Sequence, residues 1–435
     1  MPVARLTTNT LENYWMPFTA NRDFKNEPRL FAKGEGVYYW SHTGEKILDG
    51  TSGLFCSALG HGRKEIIDAV YKQLLELDYS PSFNTGHPIS FEAASRVAEI
   101  TPEGMNHIFF ANSGSEAVDS AIKIALAYHR ARGESQRVRF VSRERAYHGV
   151  NIGGTSLSGL VKNRQDFGAL MPGVAHMRHT WDPKVRFVKG QPELGADLAD
   201  DLQRFVDLYG AQNIAACFVE PIAGSTGILV PPIGYLKRLR EICDKTGILL
   251  VFDEVICGFG RTGKAFAADS FGVIPDLMTL AKALTNAVQP MGAVAVQDWV
   301  HDAIVDGAPE GAMEFFHGYT YSAHPGACAA CIATQDIFKK DKIFDRAAAL
   351  SPYFLDEVFK LQDLPVVTDI RGYGLIAGFD VKPGLGNEIM KKLYYAGLHI
   401  KFTGDGGCIS PPLISEKAHI DEMCAILRDV LNGYK

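Results

Sequence analysis

The chain has 435 residues, of which 46% are hydrophobic and 22% charged, an ordinary globular composition with enough length for two or three domains. Its net charge is −6 and its basic residues are dispersed, so it lacks the footprint of a nucleic-acid-binding protein. No apolar run approaches the roughly 20 residues that span a bilayer, and the N-terminus shows no secretory pattern. We therefore expect a cytoplasmic protein with neither nucleic acid nor membrane as a partner.

The first predicted elements are hairpin strands in residues 29–50, where apolar and polar side chains alternate around Gly34, Gly36 and Gly44. From about residue 60 helices alternate with short apolar strands. These strands are predicted within "HIFFAN", "RVRFVSRE", "NIAACFVEPI", "GILLVFDEV" and "DLMTLAK". Short apolar strands between helices indicate a mostly parallel sheet that is covered on both faces.

After about residue 330 the pattern changes to a helical stretch, strands within "VVTDIRGYGLIAGFDV" and "GLHIKFTGDGGCISPPL", and a last helix at about 416–432 that stops at Gly433. We therefore predict an α/β fold with a large, mostly parallel sheet domain at 61–330. A smaller α/β domain is predicted at 331–435, and an N-terminal segment, 1–60, is predicted to pack with it.

The eight cysteines do not form a disulfide framework in a chain of this length, and most lie among apolar neighbours. Cys328 and Cys331 form a C-x-x-C pair, for which a redox pair or half a zinc site is an alternative. No second pair or histidine cluster completes such a site in the sequence. We predict small core residues on a helix and no metal site.

Three predicted strands are followed by polar residues, and ligands of doubly wound sheets bind outside the carboxyl ends of strands. Ser113, Asp253 and Lys282 are therefore candidates for a single site. At the first of them, Ser113-x-x-Glu116 is the pattern of a capping box. The free N–H groups that follow at Gly114 and Ser115 favour a phosphate, although an ordinary helix cap is the alternative.

At the second strand end, Asp253 and Glu254 follow an apolar run, and a carboxylate there can hold a protonated ring nitrogen. The alternative is an aspartate that caps a loop. The glycine-rich stretch 258–263 has the G-x-G-x-x-G pattern, and with Lys264 it has most of a Walker A pattern. Ala265 replaces the hydroxyl that would hold magnesium, so we favour a loop over a nucleotide site.

At the third strand end, Lys282 lies among apolar residues, and a lysine amine is a nucleophile toward aldehydes. The alternative is a lysine whose ammonium reaches water. An aldehyde, a phosphate and a basic ring nitrogen together describe pyridoxal 5′-phosphate (PLP), which would use all three segments.

The chain resembles the class III aminotransferases of fold type I, in their ω-amino acid:pyruvate branch. The resemblance is carried by "NSGSEA", "AYHGVNIGGTSL", "FVEPIAGSTGILVPPIGYLK", "LLVFDEVICGFGRTG", "PDLMTLAKALTN" and "FFHGYTYSAHP", in family order over most of the chain. It implies that an amine or ω-amino acid gives its amino group to pyruvate or a similar keto acid by a ping-pong mechanism. It also implies a homodimer, with a dimer of dimers left open.

The resemblance implies that Lys282 is the catalytic residue and forms an internal aldimine with PLP, while Asp253 pairs with the ring nitrogen. It also implies a phosphate-binding turn at Ser113, Gly114 and Ser115. Tyr147 and Val255 would cover the two ring faces, with His148 beside Tyr147. Glu220 would lie near the ring oxygen, and Thr320 would reach the other subunit's cofactor.

The implied substrate positions are Phe18, Leu54, Phe55, Phe83, Tyr147 and Lys401. Three of them depart from the branch, because Lys401 stands where an arginine is usual, Phe55 where a tryptophan is usual, and Phe18 where a tyrosine is usual. Since lysine binds a carboxylate only as a point charge, and the phenylalanines make the pocket wall more apolar and slightly roomier, we expect a preference for an amine without an ω-carboxylate, or a bulky one, over β-alanine. The alternatives are a β-alanine:pyruvate transaminase, an aminomutase or decarboxylase on the same fold, a nucleotide-dependent enzyme, and a non-catalytic binding protein.

Overall fold

The computed structural model describes residues 11–168 and 170–434. Its strands are β1 (Phe31–Glu35), β2 (Tyr38–Ser41), β3 (Lys46–Asp49), β4 (His107–Ala111), β5 (Arg139–Arg143), β6 (Val174–Met177), β7 (Ile214–Val219), β8 (Leu249–Asp253), β9 (Leu277–Leu280), β10 (Gly292–Val296), β11 (Val367–Tyr373), β12 (Ile376–Val381), β13 (Leu398–His399), β14 (Lys401–Thr403) and β15 (Gly406–Ile409).

Its α-helices are α1 (Asn21–Asn26), α2 (Ser52–Phe55), α3 (Lys64–Glu76), α4 (Pro88–Ala98), α5 (Gly114–Ala131), α6 (Ile152–Leu157), α7 (Val161–Phe167), α8 (Asp200–Tyr209), α9 (Tyr235–Thr246), α10 (Ala267–Phe271), α11 (Asp298–Asp306), α12 (Pro325–Lys340), α13 (Ile343–Phe359), α14 (Gly386–Tyr395) and α15 (Lys417–Asn432). Short 3₁₀ helices cover Pro183–Val185, Ala196–Ala199, Ala211–Asn213, Lys282–Thr285 and Lys360–Asp363.

The central sheet has seven strands in the order β4-β10-β9-β8-β7-β5-β6. β10 runs antiparallel to both of its neighbours, and the other six strands share one direction. The inner strands β7, β8 and β9 are fully buried, and α5 is among the helices that pack on the sheet. The five predicted strands of this sheet are confirmed, whereas β6 and β10 were not predicted.

Two smaller sheets flank the central one. The predicted N-terminal hairpin strands form β1-β2-β3, and β13 adds to β3 in parallel through Leu398 and Leu48. The C-terminal strands form an antiparallel sheet in the order β11-β12-β15-β14. The N-terminal strands thus pair with one strand from the C-terminal part of the chain. The domain limits at residues 60 and 330 stay a prediction.

The glycine-rich stretch 258–263 is a loop that packs against the protein itself. A Cβ atom on Gly260 would lie 2.6 Å from the Phe344 ring and 2.8 Å from Leu413, and one on Gly263 would lie 3.2 Å from Ala348. Both glycines also have positive φ angles. The glycines thus allow the loop to approach α13 closely, which supports the interpretation as a packed loop rather than a phosphate cradle.

All eight cysteines are free thiols, and seven of them are buried. Cys328 and Cys331 lie fully buried on α12, as predicted for core residues. None of the helices in the described part of the chain combines the length and the apolarity that crossing a bilayer requires.

Candidate active site

The carboxyl ends of β4, β8 and β9 border a cavity of about 110 Å³. The segments that follow these strands supply much of its wall, as expected for a parallel sheet. The structure brings together eight of the predicted site residues there: Gly114, Ser115, Tyr147, His148, Glu220, Asp253, Val255 and Lys282. Gly149, Ile256 and Ala281 also line this cavity, and they were not predicted from the sequence.

The first wall is the N-terminus of α5. Ser113 is its N-cap residue, and the Glu116 N–H donates to Ser113 Oγ over 3.2 Å. Only half of the predicted capping box forms as expected, because Glu116 Oε2 accepts from the Asn112 N–H at 2.7 Å rather than from Ser113. The first-turn N–H groups at Gly114 and Ser115 have no partners within the helix, and the helix dipole favours an anion beside them.

The segment after β5 folds over this helix end. The Val150 N–H donates to Ser115 Oγ over 3.1 Å. A Cβ atom on Gly149 would lie 2.5 Å from the same oxygen, and the residue has a φ of +92°. Only glycine permits this close approach. Its position directly after Tyr147 and His148 in "AYHGV" is the signal that could have identified it.

Asp253 is the carboxylate of the cavity, and two donors fix its orientation. The His148 Nδ1–H donates to Oδ2 over 2.8 Å, and the Val255 N–H donates to Oδ1 over 3.1 Å. Both Asp253 and His148 are buried, and His148 Nε2 has no hydrogen-bond partner among the described residues. A carboxylate has about four acceptor positions, so Asp253 retains capacity for a cationic group in the cavity.

Glu254 points away from the cavity, although it follows Asp253 directly in the sequence. Its carboxyl oxygens accept from the N–H groups of Ala267 and Ala268 at the start of α10, over 3.0 and 2.7 Å. Burial raises the pKa of Glu254 to about 8. Glu254 thus caps a helix and takes no part in the cavity.

The raised pKa of Glu254 predicts a dependence of stability on pH. Because the folded-state pKa of about 8 lies above the unfolded value of 4.5, the folded protein holds this proton more tightly. The stabilisation is complete below the unfolded pKa and is lost as the pH rises through the folded one. We expect the free energy of unfolding, measured in urea, to decrease as the pH rises from about 5 to about 8. This decrease should be less steep in Glu254→Gln than in the native chain. Equal slopes for the two proteins would contradict this assignment.

Lys282 follows β9 and begins the 3₁₀ helix Lys282–Thr285. Its φ is +54°, a left-handed backbone conformation that is uncommon for a lysine and costs free energy. The Lys282 ammonium has no hydrogen-bond or ion-pair partner among the described residues, although Ala281 and Ala283 beside it are buried. A strained backbone thus presents an unpaired amine to the cavity.

Glu220 connects two walls of the cavity. Its Oε1 accepts from the Tyr147 N–H at 2.9 Å, and its Oε2 accepts from the Gly224 N–H at 3.0 Å. Burial raises the pKa values of Glu220 and Tyr147. The cavity therefore holds an unpaired lysine side chain, two buried carboxyl groups and a helix N-terminus, together with an aromatic side chain.

The class-III aminotransferase family model matches residues 19–431. The chain belongs to the class III aminotransferase family. It is 53% identical over 430 residues to an omega-aminotransferase from Caulobacter vibrioides, covering 97% of this chain and 98% of that one. It is 45% identical over 431 residues to a beta-alanine–pyruvate aminotransferase from Pseudomonas aeruginosa, covering 97% and 96%.

Among solved structures, an amine transaminase from an uncultivated Pseudomonas species, in its PLP-bound form, superposes with a TM-score of 0.89 at 33% identity, covering 96% of this chain and 98% of that one. The predicted family, the ω-amino acid:pyruvate branch and the fold class are thereby confirmed.

Several predicted positions of this class III aminotransferase lie outside the cavity. Phe18, Leu54 and Phe83 are exposed. Phe18 borders a separate cleft, and Phe83 borders a separate open cavity. Thr320 is exposed as well, and its carbonyl accepts from the Tyr79 hydroxyl over 3.0 Å. The roles of these four residues stay predictions, and that of Thr320 requires a second subunit.

Lys401 is half-buried, and protein groups already bind its ammonium. Nζ donates to the Ser225 carbonyl over 3.0 Å and to Thr403 Oγ1 over 2.8 Å, and it lies 5.7 Å from the ring centre of the buried Phe55. Burial lowers the pKa of Lys401, and the charge of Lys282 contributes in the same direction. Lys401 is therefore docked onto the backbone, near the cavity.

One cluster in the described part of the chain brings possible metal ligands together. His107, His301 and Asp302 have ligand atoms within 4.8 Å of one another. The two imidazole rings stack in parallel, with their centres 3.5 Å apart. Their in-plane lone pairs cannot meet at one ion in this arrangement. His107 also begins β4, so the cluster lies at the end of the strand opposite to the cavity.

Proposed function

We propose that the chain is a PLP-dependent ω-transaminase that moves an amino group from an amine or ω-amino acid to pyruvate or a similar keto acid. One observation carries the proposal. A single cavity holds the unpaired amine of Lys282, the oriented carboxylate of Asp253 and the N-terminus of α5. These groups complement the aldehyde, the ring nitrogen and the phosphate of PLP.

The residues in the cavity fit this cofactor. The α5 N-terminus offers N–H groups to a phosphate. Gly114 has no side chain beside Val255, where a Cβ atom would lie only 3.1 Å from a Val255 methyl group. Val255 and Tyr147 both line the cavity and can enclose a flat ring. The PLP-bound amine transaminase that superposes on this chain supports the same cofactor.

Lys282 has two tasks in this proposal. Its Nζ would hold the aldehyde of PLP in the resting enzyme. With a substrate amine in its place, Nζ takes the proton from the amine-bearing carbon and returns it in the following step, as general base and general acid. PLP supplies the electron sink for this proton transfer.

Asp253 holds the charge that the ring nitrogen needs. Its carboxylate favours the protonated nitrogen because opposite charges stabilise the charged form. The hydrogen bond from His148 fixes the carboxylate, so that it is oriented before the reaction begins. Glu220 links the Tyr147 backbone to the backbone at Gly224, which fixes the side of the cavity where Tyr147 lies.

The docked Lys401 supports a preference for amines without an ω-carboxylate. Its ammonium already has two acceptors, and a substrate carboxylate would have to compete with the Ser225 carbonyl and Thr403. An ammonium also cannot form the paired hydrogen bonds of a guanidinium. The alternative function, the runner-up, is a β-alanine:pyruvate transaminase, whose substrate carries such a carboxylate.

The substrate proposal is tested with the native chain and Lys401→Arg. With pyruvate fixed, we expect a higher kcat/KM for apolar amines than for β-alanine in the native chain. In Lys401→Arg the kcat/KM for β-alanine should rise about tenfold, because a bidentate pair replaces a point charge. A strong preference of the native chain for β-alanine would refute this proposal and favour the runner-up.

The same assay addresses the other PLP reactions. A transaminase converts pyruvate to alanine as the amine is consumed. An aminomutase or a decarboxylase forms no alanine in these reactions. Alanine formation that is stoichiometric with the carbonyl product therefore separates the proposed activity from both alternatives.

We also propose that the enzyme works as a homodimer. Large apolar side chains are exposed around an open cavity of about 690 Å³, among them Phe83 at 54% exposure, Met313 at 58% and Phe316 at 90%. Apolar surface of this kind usually contacts another protein. The role predicted for Thr320, at the cofactor of the neighbouring subunit, requires such a second copy. A cytoplasmic location stays a prediction from the sequence.

A further inference from the structure

Three consecutive backbone carbonyls beside the cavity are each bound by a different cationic side chain. They belong to the cavity hairpin, residues 223–229, which is closed by paired hydrogen bonds between Ala223 and Leu229. The carbonyl of residue 225 accepts from Lys401, that of 226 from Arg145 at 3.0 Å, and that of 227 from Arg371 at 2.5 Å.

The cavity hairpin has a conformation that needs such support. Ile228 has a φ of +59°, which is a genuine outlier for a β-branched side chain. Gly227 precedes it with a φ of +113°. Strained residues of this kind persist only where the surrounding structure fixes them. Both residues are buried, and a Cβ atom on Gly227 would lie 2.5 Å from Arg371 Nη2.

Arg371 is the most firmly anchored of the three cations. Nη1 donates to Asp369 Oδ2 over 2.6 Å, and Asp380 accepts from Nη1 and Nη2 over 2.8 Å each. Asp369 is itself fixed by the indole N–H of Trp181 and the N–H of Phe187, each over 2.8 Å. The C-terminal sheet, through β11 and β12, thereby holds the backbone of the cavity hairpin through a buried guanidinium.

We propose that Arg371, which does not line the cavity, is a positioning residue for it. By holding Gly227, Arg371 keeps the cavity hairpin where Gly224 binds Glu220 and where the Ser225 carbonyl docks Lys401. The effect of Arg371 on substrate choice, which acts through the docked Lys401, rests on the proposed function. The effect of Arg371 on the hairpin backbone does not depend on that function.

The test compares Arg371→Lys with the matched control Arg137→Lys. Arg137 is also a buried arginine that donates to three backbone carbonyls, those of Ala211, Ile214 and Thr246. It lies near the start of β5, at the end of the strand away from Tyr147. The lysine in either variant keeps the charge but loses the forked set of donors.

Amide hydrogen exchange is measured by mass spectrometry on peptides that cover residues 220–230. We expect exchange there to quicken about tenfold or more in Arg371→Lys, and to stay at the native rate in Arg137→Lys. Asp380→Asn weakens the anchoring of Arg371 without removing the arginine, so it should have a smaller effect in the same direction. It replaces Arg371→Lys in the test if that variant does not fold, and these two are the clamp variants. Native exchange rates in both clamp variants, or equal acceleration in the control, would overturn the proposal.

A kinetic measurement tests the link to Lys401. A loosened Ser225 carbonyl frees the ammonium for a substrate carboxylate, so the ratio of kcat/KM for β-alanine to that for an apolar amine should rise about threefold or more in the clamp variants. An unchanged ratio together with faster exchange would overturn this link. If the native chain showed no transamination, the proposed function would fail while the exchange data would still decide the role of Arg371.

Discussion

Lys282→Ala is expected to lower the transaminase activity about 10⁴-fold or more. The variant lacks both the amine that binds the cofactor and the group that moves the substrate proton. The measurement is the rate of alanine formation from pyruvate with an amine donor. Retention of native activity would show that another residue performs these tasks.

Lys264→Ala is the matched control for this loss. Lys264 is an exposed lysine next to the glycine-rich loop, where a Walker A motif would place its phosphate-binding lysine. We expect native transaminase activity in Lys264→Ala, because that loop packs against α13. A large loss in this control would indicate that the loop takes part in catalysis.

Asp253→Asn is expected to lower kcat about 10³-fold, because it removes the negative charge that favours a protonated ring nitrogen. An asparagine retains only one acceptor oxygen, so the variant keeps one of the two hydrogen bonds from His148 and Val255 and loses the negative charge. The measurements are kcat for transamination and the visible absorbance of the bound cofactor, which should shift when the ring nitrogen loses its proton. Glu254→Gln is the control, because that neighbouring carboxyl group faces α10 and should leave kcat unchanged.

An unchanged kcat in Asp253→Asn would contradict the role given to this carboxylate. A loss of equal size in Glu254→Gln would instead assign the effect to the strand end as a whole. The two residues are adjacent in sequence, so a general weakening of the β8 terminus would affect both variants alike.

The fold could be predicted where strands are continuous apolar runs between helices. β7, β8 and β9 are of this kind, and burial on both faces explains their composition. β10 was missed because glycine and alanine weaken the pattern in "GAVAV". Its glycine is required by packing, since a Cβ atom on Gly292 would lie 2.2 Å from the Ser113 carbonyl oxygen. Such a close approach is a tertiary property that the local sequence does not reveal.

The site residues could be predicted where a polar or reactive side chain directly follows a strand. Ser113, Asp253 and Lys282 stand at such positions, and the family resemblance assigned their roles. The opposite orientations of Asp253 and Glu254 were also accessible, because successive residues near a strand end alternate in direction. The role of Arg371 could not be predicted from the sequence, since its hydrogen bond to Gly227 joins residues 144 positions apart.

The proposed function requires Lys282 Nζ to carry PLP in the resting enzyme. The most direct test is borohydride reduction of the PLP-loaded protein, which turns a bond between a lysine amine and an aldehyde into a stable secondary amine, followed by peptide mapping by mass spectrometry. We predict the mass of a reduced pyridoxal phosphate adduct on the peptide that contains Lys282. An adduct on a different lysine, or no adduct after loading with PLP, would contradict the claim.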